Sequence, residues 1–202
     1  MLIYFIRHGE TDYNKEKRYQ GCLDIPLSRE GKQKLYRADF TPEVVYVSAL
    51  KRSAETAKLL FPGVEQIAVP ELNEMNFGDF EGRTANEMEN DPAYRRWVED
   101  NCESRCPNGE SREEFNKRVQ TAVIKLVSDE AAAGKEEVVI VAHGGTIMAA
   151  LQRFGNPKRD FYGWLPGNGT GFLFSYEPAQ PLETMQLLKE VAYAESFVAM
   201  EI

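Results

Sequence analysis

The chain has 202 residues, 43% hydrophobic and 28% charged, with a formal net charge of −8. That composition is ordinary for a globular domain and argues against a general binder of nucleic acid or anionic membrane, because the overall field repels phosphate; an anionic ligand needs a local positive pocket. The apolar runs Leu2–Ile6 and Val138–Ala142, five residues each, fall far short of a membrane span or a secretory signal core.

In chain order, the first predicted strand covers 2–7. Its run LIYFI has the continuity of a strand buried on both faces, and it ends on Arg7-His8-Gly9-Glu10-Thr11. Ser28, after Pro26-Leu27, reads as the N-cap of a helix of roughly ten residues ending near Phe40-Thr41-Pro42. VVYVS at 44–48 is the second strand, and Ser48 is the expected cap of a helix carrying Leu50, Ala54, Ala57 and Leu60, which stops at Phe61-Pro62-Gly63. A third strand falls at 65–69. Ser111 opens the longest helix, with Phe115, Val119, Ala122, Val123 and Leu126 on one face and Gly134 as the stop. A strand at 138–142 ends on His143-Gly144-Gly145-Thr146, and a helix follows over 146–154. From Gly171, GFLFSYE and a stretch near 184–190 read as strands, and the tail beyond has no assignable pattern.

Strands alternating with helices imply an α/β fold, a three-layer α/β/α arrangement around a mostly parallel sheet. With no repeats or linker-like stretch, 1–202 reads as one domain, and 83–110 as a specificity insertion. In such sheets ligands lie beyond the carboxyl ends of strands, the position shared by Arg7-His8-Gly9, Ser48 to Arg52 and His143-Gly144-Gly145. Helix N-termini there add N–H donors, so an acidic chain can still build an anion pocket.

The chain has two histidines, both directly after apolar runs. On the residues alone His8 has three readings: a hydrogen-bonded structural histidine, a metal ligand, or a nucleophile toward phosphorus. The metal reading is poor, since no second ligand pair has metal spacing and Cys102-x-x-x-Cys106 stands alone. Cys22, Cys102 and Cys106 are expected to be reduced, incidental thiols of a cytoplasmic protein. For the nucleophile, Arg7 would keep the imidazole neutral, and Gly9 would allow close approach of a phosphate.

Arg7-His8-Gly9-Glu10-Thr11 resembles the signature of the histidine phosphatase superfamily, in the branch of cofactor-dependent phosphoglycerate mutases and small-molecule phosphatases. The resemblance extends to about residue 175 through Asn14, Tyr19 to Leu27, Ser48 to Arg52 with Thr56-Ala57, Glu71 to Glu74 with Phe77 to Gly82, Gly109-Glu110-Ser111, and Val141 to Gly145. It implies a phosphoglycerate mutase-like fold and a metal-independent phosphohistidine enzyme without cofactor. His8 would accept the phosphoryl group, and Arg7, Arg52 and His143, with Asn14 and Gly144, would hold phosphate oxygens. Glu74 would be the proton donor, and Gln20 and Gly21 would contact substrate. Glu10 is expected to organise the signature loop, and Glu81 is the weaker acid candidate. Taken singly, Arg7 and Arg52 are also compatible with surface ion pairing, Glu74 and Glu81 with solvated loops, and Tyr94 and Trp97 with packing.

Three functions compete. The favoured one is hydrolysis of a small cytoplasmic phosphomonoester. PELNEMNFGDFE at 70–81 resembles alpha-ribazole phosphatases of cobalamin assembly, which makes alpha-ribazole 5′-phosphate the named candidate. The second is phosphoglycerate mutase, suggested by Arg95-Arg96 but not by the Trp97-Val98-Glu99-Asp100 that follows. The third is a silent phospho-ligand binder, which would have no use for Glu74. The expected partner is a small phosphorylated metabolite, with neither nucleic acid nor membrane, and the expected state is monomer or homodimer.

Overall fold

The structure is a computed structural model, and it describes residues 1–195. Its strands are β1 (Leu2–Arg7), β2 (Val44–Val47), β3 (Glu65–Ala68), β4 (Glu137–Ala142), β5 (Thr170–Ser175) and β6 (Gln186–Ala192). Its α-helices are α1 (Asp12–Lys15), α2 (Arg29–Lys34), α3 (Lys51–Leu60), α4 (Pro92–Glu99), α5 (Arg112–Ala132) and α6 (Gly144–Phe154). One sheet runs in the order β3-β2-β4-β1-β5-β6. β3, β2, β4 and β1 pair in parallel, and β5 is antiparallel to both its neighbours, so a single strand is reversed.

The continuous apolar runs are explained by burial on both faces. Ile3, Phe5, Val138 and Ile140 face a large cluster completed by Phe115, Val119 and Val123 of α5 and Ile147 and Leu151 of α6. Tyr4, Ile6, Val139 and Val141 face the other cluster, with Ala57 and Leu60 of α3. Each fully buried aliphatic or aromatic side chain contributes about 1.5–3 kcal/mol. Helices thus cover both faces, as expected.

Three expectations need correction. The helix after Ser28 ends at Lys34, because Leu35 turns extended and bridges Ala194 while the Tyr36 N–H donates to the Tyr193 carbonyl at 3.0 Å. A long-range partner takes the backbone that local propensity would have left helical. Ser48 is not the cap residue of α3: the cap position is Leu50, while the Ser48 hydroxyl accepts from the Leu50 N–H at 3.3 Å, donates to Ser53 Oγ at 2.9 Å and lies 2.7 Å from His143 Nε2. The last major helix, expected to be opened by Gly144-Gly145 and to span 146–154, includes both glycines and runs Gly144–Phe154. By contrast, Ser111 caps α5 with its hydroxyl on the Glu114 N–H, and Glu114 returns a bond to the Ser111 N–H. The final strand runs slightly later than 184–190, and the tail from 196 lies outside the described residues.

Candidate active site

The register places the chemistry. β1 and β4 are adjacent with Arg7 opposite Ala142, so His8 and His143 leave the sheet side by side, ring centroids 5.2 Å apart. β2 lies beside β4 and delivers Ser48 to the same edge. From β1 the chain crosses to β2 on one side, and from β4 it crosses to β5 on the other, which makes the β1/β4 crevice the switch point where such sheets bind ligands.

His8 is 3% exposed. Its Nδ1 lies 2.6 Å from the Gly9 carbonyl oxygen. A carbonyl only accepts, so Nδ1 carries the proton and Nε2 keeps its lone pair. Burial, then the charges of Arg52 and Arg7, hold this imidazole well below the usual histidine range. The loop is fixed by Thr56 and Asn168. Thr56 Oγ1 accepts from the Gly9 N–H at 2.9 Å and donates to the Arg52 carbonyl at 2.6 Å. Asn168 Nδ2 lies 3.2 Å from the His8 carbonyl oxygen and 3.2 Å from Asn14 Oδ1.

Arg52, 1% exposed, is no surface partner. It donates from Nε to His143 Nδ1 at 3.1 Å, from Nη1 to the Leu23 carbonyl and from Nη2 to the Gly21 carbonyl, both at 2.7 Å. A guanidinium has five N–H groups, so two remain for an anion. Because His143 Nδ1 accepts, its Nε2 carries the proton and donates to Ser48 Oγ at 2.7 Å. Burial, then Arg52, keeps His143 neutral too. To reach a phosphate oxygen, His143 must exchange one of these two bonds.

Arg7 donates from Nη1 to the Pro166 carbonyl at 2.8 Å, while its buried Nε has no partner. Such an orphaned donor beside a cleft is the mark of an acceptor yet to arrive. Glu74 lines the same cleft. Its Oε2 accepts from the Gly145 N–H at 2.9 Å and its Oε1 from the Met75 N–H at 3.0 Å. A Cβ on Gly145 would come within 2.2 Å of Glu74 Oε1, so only glycine permits this approach. Arg118 of α5 holds the acid's loop, donating to the carbonyls of Glu71 at 2.8 Å and Asn73 at 3.1 Å and pairing with Glu110 at 2.7 Å.

The remaining expected residues take supporting positions. Asn14 Oδ1 accepts from the Thr11 N–H at 3.0 Å, and buried Gln20 bonds the Thr11 hydroxyl at 2.9 Å. Gly21 (φ +50°) presents its carbonyl to Arg52. Glu81 receives the N–H groups of Cys22 and Phe77 at 2.8 and 3.1 Å, which makes it a loop clamp, and burial raises its carboxyl above the usual range. Glu10 pairs with Lys34 at 2.7 Å, and Gly144 packs against Arg7. Arg95 and Arg96 lie on the exposed side of α4, whereas Tyr94 and Trp97 are buried. Cys102 lines the cleft and Cys106 is buried. Among the described residues no group of three or more His, Cys, Asp or Glu is disposed to hold a metal, and no helix is long and apolar enough to cross a membrane.

The cleft encloses about 400 Å³. From 83–110 it takes Trp97 and Cys102, and its other wall, Phe161, Tyr162 and Leu165, comes from a segment without sequence signal.

Comparison with known proteins agrees with this geometry. The family described as histidine phosphatase superfamily (branch 1) matches residues 3–185. An adenosylcobalamin/alpha-ribazole phosphatase of Salmonella typhimurium is 32% identical over 164 residues, 76% of this chain and 79% of that protein. A 2,3-bisphosphoglycerate-dependent phosphoglycerate mutase 2 of Gloeobacter violaceus is 31% identical over 74% of each chain. The crystal structure of the alpha-ribazole phosphatase from Shigella flexneri superposes with a TM-score of 0.81 at 25% identity, covering 96% of both chains.

Proposed function

This chain belongs to the histidine phosphatase superfamily, branch 1, as a phosphatase with the phosphoglycerate mutase-like fold, and from that premise we propose that it hydrolyses a small phosphate monoester through a phosphohistidine on His8. The observation that carries the reading is a buried neutral imidazole with Nδ1 committed to the Gly9 carbonyl, beside two arginines that retain unspent donors.

In this mechanism the lone pair of His8 Nε2 attacks phosphorus as the ester P–O bond breaks. The departing alkoxide takes a proton from Glu74. Glu74 then removes a proton from water, the water oxygen bonds to phosphorus, the P–N bond breaks, and inorganic phosphate leaves. Arg7 and Arg52 stabilise the equatorial oxygens, and no step requires a metal. His143, itself bonded to Ser48, accepts from the Arg52 Nε and holds it in place. The substrate proposed by name is alpha-ribazole 5′-phosphate, supported by the relatives that carry that name.

The mutase alternative needs substrate cations to hold and reorient a glycerate. The arginine pair that would supply them lies on the exposed face of α4, outside the cleft lining. The test compares phosphate release with conversion of 3- to 2-phosphoglycerate in one preparation, with and without 2,3-bisphosphoglycerate. Hydrolysis indifferent to the bisphosphate is expected. Primer-dependent mutase turnover far above hydrolysis would overturn the reading. Alpha-ribazole 5′-phosphate performing no better than generic sugar phosphates would remove only the named substrate.

A further inference from the structure

The cleft meets the proposed phosphate site at Arg7, Glu74, Gly144 and Gly145, and most of its remaining lining is apolar. On one side Tyr19, Phe77 and Trp97 form a mutually packed cluster, with ring centroids 5.2, 5.9 and 6.1 Å apart. Phe161, Tyr162 and Leu165 line the same cleft outside that cluster. Tyr162 is 58% exposed and Leu165 50%, which is more apolar surface at one rim than packing requires.

This second wall is pinned at both ends. The Arg112 guanidinium stacks on the Phe161 ring at 4.9 Å and donates to Tyr162 Oη at 3.1 Å. The same side chain bonds the Asn101 carbonyl and approaches Glu103 at 3.5 Å, so it ties the 161–165 wall to the loop after α4. At the other end Pro166 accepts from Arg7, and between them Trp164 is fully buried. The wall is therefore held in place before any ligand arrives, and little ordering cost is left for binding.

The polar side chains of this lining are few and largely paired. Tyr19 Oη bonds Tyr94 Oη at 3.0 Å, and Arg112 donates from Nη2 to Tyr162 Oη and the Asn101 carbonyl, with Glu103 3.5 Å from its Nη1. A polyol entering here would lose water from its hydroxyls with few partners to replace it, and a carboxylate would meet a guanidinium already balanced by Glu103.

We propose that the cleft selects phosphate esters whose alcohol carries a flat, apolar, aromatic-sized group, received between the Tyr19–Phe77–Trp97 cluster and the Tyr162–Leu165 rim. The proposal rests on the hydrolytic reading for its kinetic arm only.

The experiment uses four primary alkyl esters with similar leaving groups: 2-naphthylmethyl phosphate, benzyl phosphate, propyl phosphate and glycerol 3-phosphate. Specificity (kcat/KM) should rise about 10–100-fold from glycerol 3-phosphate to the naphthylmethyl ester, carried mainly by KM, because the group lies away from the reacting atoms. Tyr162→Ala should cut that ratio at least about fivefold, and Tyr162→Phe should preserve it, which separates the ring from its hydroxyl; an exposed side chain can be changed without unfolding the protein. Glycerol 3-phosphate equal to the aromatic esters would overturn the selectivity and leave hydrolysis standing. A ratio unchanged by Tyr162→Ala would overturn the assignment of the wall. If no ester is hydrolysed, calorimetry with 2-naphthylmethylphosphonate and methylphosphonate decides the cleft alone: tenfold tighter aromatic binding supports it, and equal binding overturns it.

Discussion

At the residue scale the site is built by pairing each reactive group with a backbone partner that fixes its role. The Gly9 carbonyl fixes the His8 tautomer, and the Gly145 N–H fixes the Glu74 carboxylate. If Glu74 is the proton donor, its loss should matter in proportion to how badly the leaving group needs a proton. Glu74→Gln should slow hydrolysis of alkyl esters by about 10²–10⁴ and of nitrophenyl phosphate far less. Gly145→Ala should show the same leaving-group dependence in milder form, since its Cβ would displace Glu74 Oε1 from 2.2 Å. Equal losses on both substrates would remove Glu74 from the role. His8, Arg52 and His143 could be read from the sequence because each follows a strand that burial makes conspicuous. Ser48 and Thr56 are marked there only as parts of a resembling segment, without their roles, and Asn168 and Arg118 are not marked at all. A lone polar residue near a helix start resembles a cap, as Ser48 did, and besides Leu50 and Ser53 at that helix start it has a partner, His143, 95 residues away.

At the element scale, legibility followed burial and local chemistry. β1 and β4 read as unbroken apolar runs because helices cover both faces of the sheet, and α5 announced itself by Ser111 and the apolar face from Phe115 to Leu126. α2 was overestimated because the residues that end it, Tyr193 and Ala194, come from the far end of the chain. The 161–165 wall had no periodicity to find, since a buried Trp164 and two arginines hold it instead of a regular ladder. α5 carries both Arg112 and Arg118, so its N-terminal turn bears on the cleft. Ser111→Ala removes the side-chain cap and should lower unfolding free energy by about 0.5–2 kcal/mol. Urea denaturation with an unchanged slope and a lower midpoint would agree; an unchanged midpoint would mean the capping box contributes nothing.

At the scale of the whole molecule, an acidic chain of net charge −8 gathers Arg7 and Arg52 around two buried histidines at one sheet edge. That arrangement has a cost that pH reveals. Both histidines have folded-state values lowered by burial, so below about pH 6.5 the unfolded chain binds protons that the folded chain refuses. Stability should therefore be intact above about pH 6.5 and fall as pH drops through it. Two such groups make the loss steeper than one alone would. His8→Asn should flatten about half of that slope in denaturant titrations. A slope identical to the wild type in that window would show that His8 protonates freely in the folded protein.

The central claim is covalent transfer to His8. Brief reaction with a phosphate ester labelled in its phosphoryl group, quenched in alkali, should leave a phosphoprotein that is stable to base, labile to acid and absent from His8→Ala. A His8→Ala protein that still traps the label, or wild type that turns over substrate without ever trapping it, would contradict the account.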